Sequence, residues 1–154
     1  MGMYFLDSSA VVKCYVPEQG QSFVVNLCDP ERGHDLYISQ LALVEVVTSI
    51  CRKAHEKIFT PAERDTLIDV FRADSYNIYG VRLLTTAMCT AAGDLCRVHR
   101  LRAYDAMQLA CALNLRDEVK TMQMPEPVFV CADNNLLNIA KTEGLMVANP
   151  NDYS

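Results

Sequence analysis

Short apolar runs alternate along this chain with longer segments of helical periodicity. Met3–Leu6 is apolar and aromatic, and reads as a buried strand. Asp7-Ser8-Ser9 then offers helix-capping side chains, and AVVKCYV predicts a short helix stopped by Pro17. Gln21–Leu27 predicts a second short helix, and Asp29-Pro30 with Gly33 marks a loop. Residues 36–38 read as a strand, with Ser39 expected to cap a helix over 40–55. Thr60-Pro61-Ala62-Glu63 joins a capping box to a proline at the first helical position, and predicts a helix to about residue 73. Residues 76–81 read as a strand. Ala87, Ala91, Leu95 and Val98 share one face of a helix expected over 85–99. Residues 104–115 predict a further apolar helix. RDEVKTMQMPEP is polar, carries two prolines and reads as a loop. Residues 128–131 form a buried strand, 134–143 a helix stopped by Gly144, and Met146–Ala148 a last strand.

Strands alternating with helices imply a parallel sheet covered on both sides. The length of 154 residues fits one domain, expected over 1–154, and no repeat, low-complexity stretch or internal linker interrupts it. No apolar run is long enough to span a bilayer, and no basic segment precedes the first apolar stretch, so a cytoplasmic protein is expected. The seven cysteines include no CxxC pair and mostly lie in apolar segments, as small buried hydrophobes do in a reducing compartment. The three histidines are scattered without metal-ligand spacing. The net charge of −5 argues against a broad phosphate-gripping surface, but not against a small acidic pocket that holds cations.

The charges are unevenly spread. Asp7 is the only acid in the first seventeen residues. Glu45 is the only charged residue between Asp35 and Arg52, Asp105 the only one between Arg102 and Arg116, and Asp133 the only one between Glu126 and Lys141. Each sits in a segment that otherwise reads as buried, where an isolated carboxylate is costly unless paired, hydrogen-bonded or bound to metal. Asp7 and Asp133 directly follow strands, and Glu45 lies in the helix after another. Ligands of open parallel sheets bind beyond the carboxyl ends of the strands, so these three are expected on one edge, with Asp105 joining from the start of its helix. Each acid also has a purely structural reading: Asp133 as a helix cap, Asp105 as a first-turn acid, Asp7 as the closure of a strand-to-helix turn, Glu45 as a boundary residue. Glu45 has no basic partner one turn away, whereas Asp94 has Arg97 three residues on and reads as a solvated ion pair.

Four blocks carry a family resemblance: YFLDSSAVVKCYV, ISQLALVEVVTSI around Glu45, LRAYDAMQLACAL around Asp105, and FVCADNNLLNIAKTEGLMVANP. Their order and spacing resemble those of PIN-domain ribonucleases, in particular VapC-type toxins of toxin–antitoxin pairs, over nearly the whole chain. The last block departs at its turn, with Cys131 where the family usually has threonine. The resemblance implies an α/β fold, a three-layer α/β/α sandwich with a central, mainly parallel sheet. It implies Mg²⁺ or Mn²⁺ held by Asp7, Glu45, Asp105 and Asp133, with Ser9 at a small polar position that orients Asp7. It further implies an RNA substrate, a cognate antitoxin and a homodimer.

The implied chemistry suits the residues. Hard divalent cations prefer oxygen ligands, and a metal-bound water is a competent nucleophile toward a phosphodiester. Arg97, Arg100 and Arg102 form one basic cluster and Arg52, Lys53 and Lys57 another; at least one is expected to flank the pocket and contact RNA. No GxSxG, GxxxxGK[ST] or GxGxxG is present. Two alternatives stay open on the sequence: a catalytically silent PIN-like module that acts through protein contacts, and a DNA-directed metal nuclease.

Overall fold

The computed structural model describes residues 1–153. The chain runs β1 (Met3–Leu6), α1 (Ser8–Val11), a 3₁₀ turn (Val12–Cys14), α2 (Gln21–Leu27), β2 (Asp35–Ser39), α3 (Ala42–His55), α4 (Pro61–Asn77), β3 (Tyr79–Arg82), α5 (Thr86–Val98), α6 (Ala103–Thr121), β4 (Val128–Val130), α7 (Asn134–Thr142) and β5 (Met146–Ala148). The strands form one five-stranded sheet in the order β3-β2-β1-β4-β5. Every strand pair is parallel, so the mainly parallel sheet expected is parallel throughout.

Period-two alternation assigns side chains to the two faces. Met3, Phe5 and Phe129 join Met88, Leu95, Leu109, Leu115, Leu136 and Leu137 in a core under α5, α6 and α7. Leu6, Leu36, Ile38 and Val130 join Val11, Val24, Val46, Ile50 and Phe71 in a second core under α1 to α4. These two cores make the three-layer α/β/α sandwich. Among the described residues no helix is long and apolar enough to cross a membrane.

Several boundaries differ from the sequence reading. Ser39 does not cap α3: it ends β2, fully buried, and the helix starts at Ala42 after Leu41, without a side-chain cap. The capping box at Thr60 and Glu63 is formed as expected, but α4 continues to Asn77, so Tyr76 is an exposed helical residue rather than the start of β3. The helix expected over 104–115 runs on to Thr121, taking in RDEVKT. That stretch is polar because it is mostly exposed, while Val119 continues the buried face set by Leu115.

Candidate active site

β1 and β4 end level, with Leu6 opposite Val130, and the Asp7 N–H extends the ladder to the Val130 carbonyl at 2.9 Å. β2 lies on the other side of β1, with Phe5 opposite Tyr37. The residues that follow these three strands therefore share one edge. Asp7 caps α1, Asp133 caps α7, and Glu45 and Asp105 lie in the first turns of α3 and α6. A carboxylate at a helix N-terminus is stabilised by the unpaired N–H groups there.

Asp7 is buried. Its Oδ2 accepts from the Ser9 hydroxyl at 2.6 Å and the Ser9 N–H at 3.2 Å. The Ser9 hydroxyl in turn accepts from the Ala132 N–H at 3.0 Å, which ties the Asp7 turn to the turn carrying Asp133. Cys131 completes this link. Its thiol lies 3.5 Å from Asp7 Oδ2, and its sulfur accepts from the Asp133 N–H at 3.3 Å. A thiol is a weaker donor than a hydroxyl, and this one stands directly after β4. Burial pushes the Cys131 thiol pKa well up, so it stays protonated as a donor.

Glu45 is half-buried and held through one oxygen. Oε1 accepts from the Ser8 hydroxyl at 2.9 Å and from the Gln108 amide at 2.9 Å. The same amide donates to Ser8 Oγ at 2.8 Å, and Gln108 Oε1 accepts from the Ser39 hydroxyl at 3.0 Å. Gln108 and Ser39 are fully buried, and Ser8 nearly so. The network joins α1, β2, α3 and α6, and it fixes which end of the Gln108 amide faces Glu45. Sequence reading overlooked Ser8, Ser39 and Gln108 as site residues. The available signal was Gln108 itself, a lone polar residue in an apolar helix face, three positions after Asp105.

Asp133 is exposed, and its Oδ1 accepts from the N–H groups of Asn135 and Leu136 at 2.8 and 3.2 Å. Asp105 is half-buried. Burial is the main cause that raises its pKa, with repulsion from Asp133 and Glu45 adding and Arg102 opposing. Asp7 is raised to about 6, chiefly by burial, then by Glu45 and Asp105, against the Ser9 hydrogen bonds. The four acids are thus electrostatic neighbours. They are not drawn tight: among the described residues no three acidic, histidine or cysteine side chains stand close enough to make a ready coordination shell.

The donor set still suits a hard cation. Among the described residues no hydrogen bond reaches Asp7 Oδ1, Glu45 Oε2, Asp133 Oδ2 or either oxygen of Asp105. Three carboxylates are anchored through one oxygen and leave the other open, and such oxygens are the donors Mg²⁺ and Mn²⁺ take. Of the basic residues, Arg102 stands next to Asp105 as the residue before α6. Arg97 is exposed and lies 3.8 Å from Asp94, the solvated pair expected, and Arg100 is exposed on the α5–α6 turn.

The family model of the PIN domain matches residues 4–141, which takes in all four acids. The chain belongs to the PIN-domain family. This PIN chain has no match among curated proteins. Solved PIN-like folds are similar to it. VapBC2 from Rickettsia felis, crystallised bound to a DNA fragment from its promoter, superposes with a TM-score of 0.63 at 12% identity, covering 96% of this chain and 98% of that one. FitAcB from Neisseria gonorrhoeae gives a TM-score of 0.63 at 12% identity, covering 97% and 98%. At such identities the likeness is one of fold.

Proposed function

We propose that this PIN domain is a Mg²⁺- or Mn²⁺-dependent endoribonuclease, the toxin of a toxin–antitoxin pair, acting as one domain over 1–154. The observation that carries the reading is the site itself. Four otherwise isolated carboxylates from four different elements become electrostatic neighbours at one sheet edge, with unengaged oxygens on each. Membership of a family whose domains are generally nucleases supports it, as does the fold shared with VapBC2 and FitAcB. A cognate antitoxin and a homodimeric state belong to the same proposal.

Asp7, Glu45, Asp105 and Asp133 would hold the metal. A bound divalent ion supplies an activated water and offsets charge on the phosphoryl oxygens in an in-line displacement. The chain's own part is positioning. Ser9 and Cys131 hold Asp7 by Oδ2. Ser8 and Gln108 hold Glu45 by Oε1, and the α7 N-terminus holds Asp133 by Oδ1. Arg102 places a cation beside Asp105 that can meet an incoming phosphate, with Arg100 two residues before it on the α5–α6 turn and Arg97 in the last turn of α5.

With a mixed RNA pool, cleavage is expected with Mg²⁺ or Mn²⁺, none in EDTA, and recovery on adding metal back. A substrate with a 2′-deoxy sugar at the scissile position should still be cut, because water rather than the 2′-OH attacks. Metal-independent cleavage, or complete resistance of the 2′-deoxy substrate, would contradict the proposal.

A further inference from the structure

Away from the acidic edge, the 3₁₀ turn after α1 and the end of α2 bring two cysteines together. Cys14 Sγ and Cys28 Sγ are 3.5 Å apart, in hydrogen-bond contact, with Cys14 donating. Both thiols are free. The other five cysteines have no such partner among the described residues: Cys111 and Cys131 are buried, Cys51 is half-buried, and Cys89 and Cys96 are exposed.

The surroundings fit a reactive pair. The Tyr79 hydroxyl lies 3.8 Å from Cys28 Sγ and 3.9 Å from Cys14 Sγ. It also meets the Tyr15 hydroxyl at 3.1 Å, and Tyr15 donates to Asp74 Oδ2 at 2.7 Å. Two donors, the Cys14 thiol and the Tyr79 hydroxyl, can thus point at the Cys28 sulfur. The bond from Cys14 lowers the Cys28 thiol below its ordinary range, with burial opposing. Cys14 itself is raised, first by that same bond. Both cysteines line a surface pocket of about 690 Å³ together with Asn26 and Asp74, Cys14 half-buried and Cys28 buried.

We propose that Cys14 and Cys28 form an oxidation site that takes small hydroperoxides and closes reversibly to an intramolecular disulfide. The Cys28 thiolate attacks one peroxide oxygen; an S–O bond forms, the O–O bond breaks, and the leaving hydroxide takes up a proton as water. The Cys14 sulfur then attacks the Cys28 sulfenic acid; the S–S bond forms, the S–O bond breaks, and the second water leaves with the Cys14 proton. Two thiols and one hydrogen peroxide give one disulfide and two waters, so oxidation stops before the irreversible acids. The bond would tie the segment that follows Asp7, Ser8 and Ser9 to α2, and it does not depend on the nuclease reading.

The test uses the full chain with Cys89→Ser and Cys96→Ser, which removes the exposed competing thiols. The protein is treated with hydrogen peroxide, alkylated, digested and mapped by mass spectrometry. Cys14 and Cys28 should lose alkylation together, appear as one linked peptide and return to free thiols with dithiothreitol. Adding Cys14→Ser should leave Cys28 as a sulfenic acid that a dimedone probe captures and that advances to sulfinic acid. Cys28→Ser should leave Cys14 largely unoxidised. Cys14 and Cys28 oxidising independently in the parent, or Cys28 reaching sulfinic acid while Cys14 is present, would overturn the proposal.

Discussion

Gln108 lies one turn beyond Asp105 on α6, with both amide hydrogens and its carbonyl engaged by Glu45, Ser8 and Ser39. Replacing it with an apolar residue of similar size leaves three polar side chains short of a partner. Gln108→Leu is expected to cost about 1–3 kcal/mol of stability and to raise the Mg²⁺ concentration for half-maximal cleavage roughly tenfold. The KM for RNA should change little. A metal titration of activity checks this, and an unchanged half-saturation would mean that the network does not position Glu45. Asp7 makes a second residue-scale prediction. Its folded pKa is raised from 3.8 to about 6, so between those values the folded chain binds more protons than the unfolded one. Stability is therefore fully present below the lower value and falls as pH rises toward the upper one. Asp7→Asn removes the buried charge. In EDTA at neutral pH it should be more stable than the parent by about 1–3 kcal/mol, and the difference should vanish near pH 4. Melting curves at the two pH values decide it. The four acids were legible in the sequence because charges are scarce around them. Gln108, Ser8 and Ser39 were not, since a serine in a strand and a glutamine in a helix reveal a shared partner only once β2 and α6 are brought together.

At the scale of elements, five strands and most helices could be read from apolar periodicity, and the errors have physical causes. The sequence reading ended α4 early and broke α6 early because exposed helical turns lose the apolar repeat while keeping their backbone bonds. Serine favours helix caps, which is why the sequence predicts one at Ser39, but burial against Gln108 outweighs that preference. One junction is sensitive to a single atom. Gly20 precedes α2 with φ +81°, and a Cβ there would sit 2.6 Å from the Pro150 carbonyl. Gly20→Ala therefore meets both backbone strain and a backbone clash. It is expected to destabilise the protein by about 1–3 kcal/mol, read as a lowered denaturant midpoint with cleavage per folded molecule unchanged. A wild-type midpoint would refute the packing of the 3₁₀ turn Pro150–Tyr153 against the start of α2.

For the whole molecule, the parallel sheet converts sequence separation into proximity. Asp7 and Asp133 are 126 positions apart, yet the level ends of β1 and β4 set their turns against one another through Ser9 and Cys131. The same topology aims helix N-termini at the acidic edge. The acidic total charge is consistent with this, because cation binding needs only a local pocket and Arg102 supplies positive charge beside it. The four carboxylates together are proposed to form one metal-dependent ribonuclease site. Its most direct test is cleavage of RNA in Mn²⁺ by Asp7→Asn and Asp105→Asn, each shown by circular dichroism to be folded. Both variants are expected to lose cleavage with the fold intact; cleavage at the parental rate by either folded variant would mean that the four carboxylates are not the site.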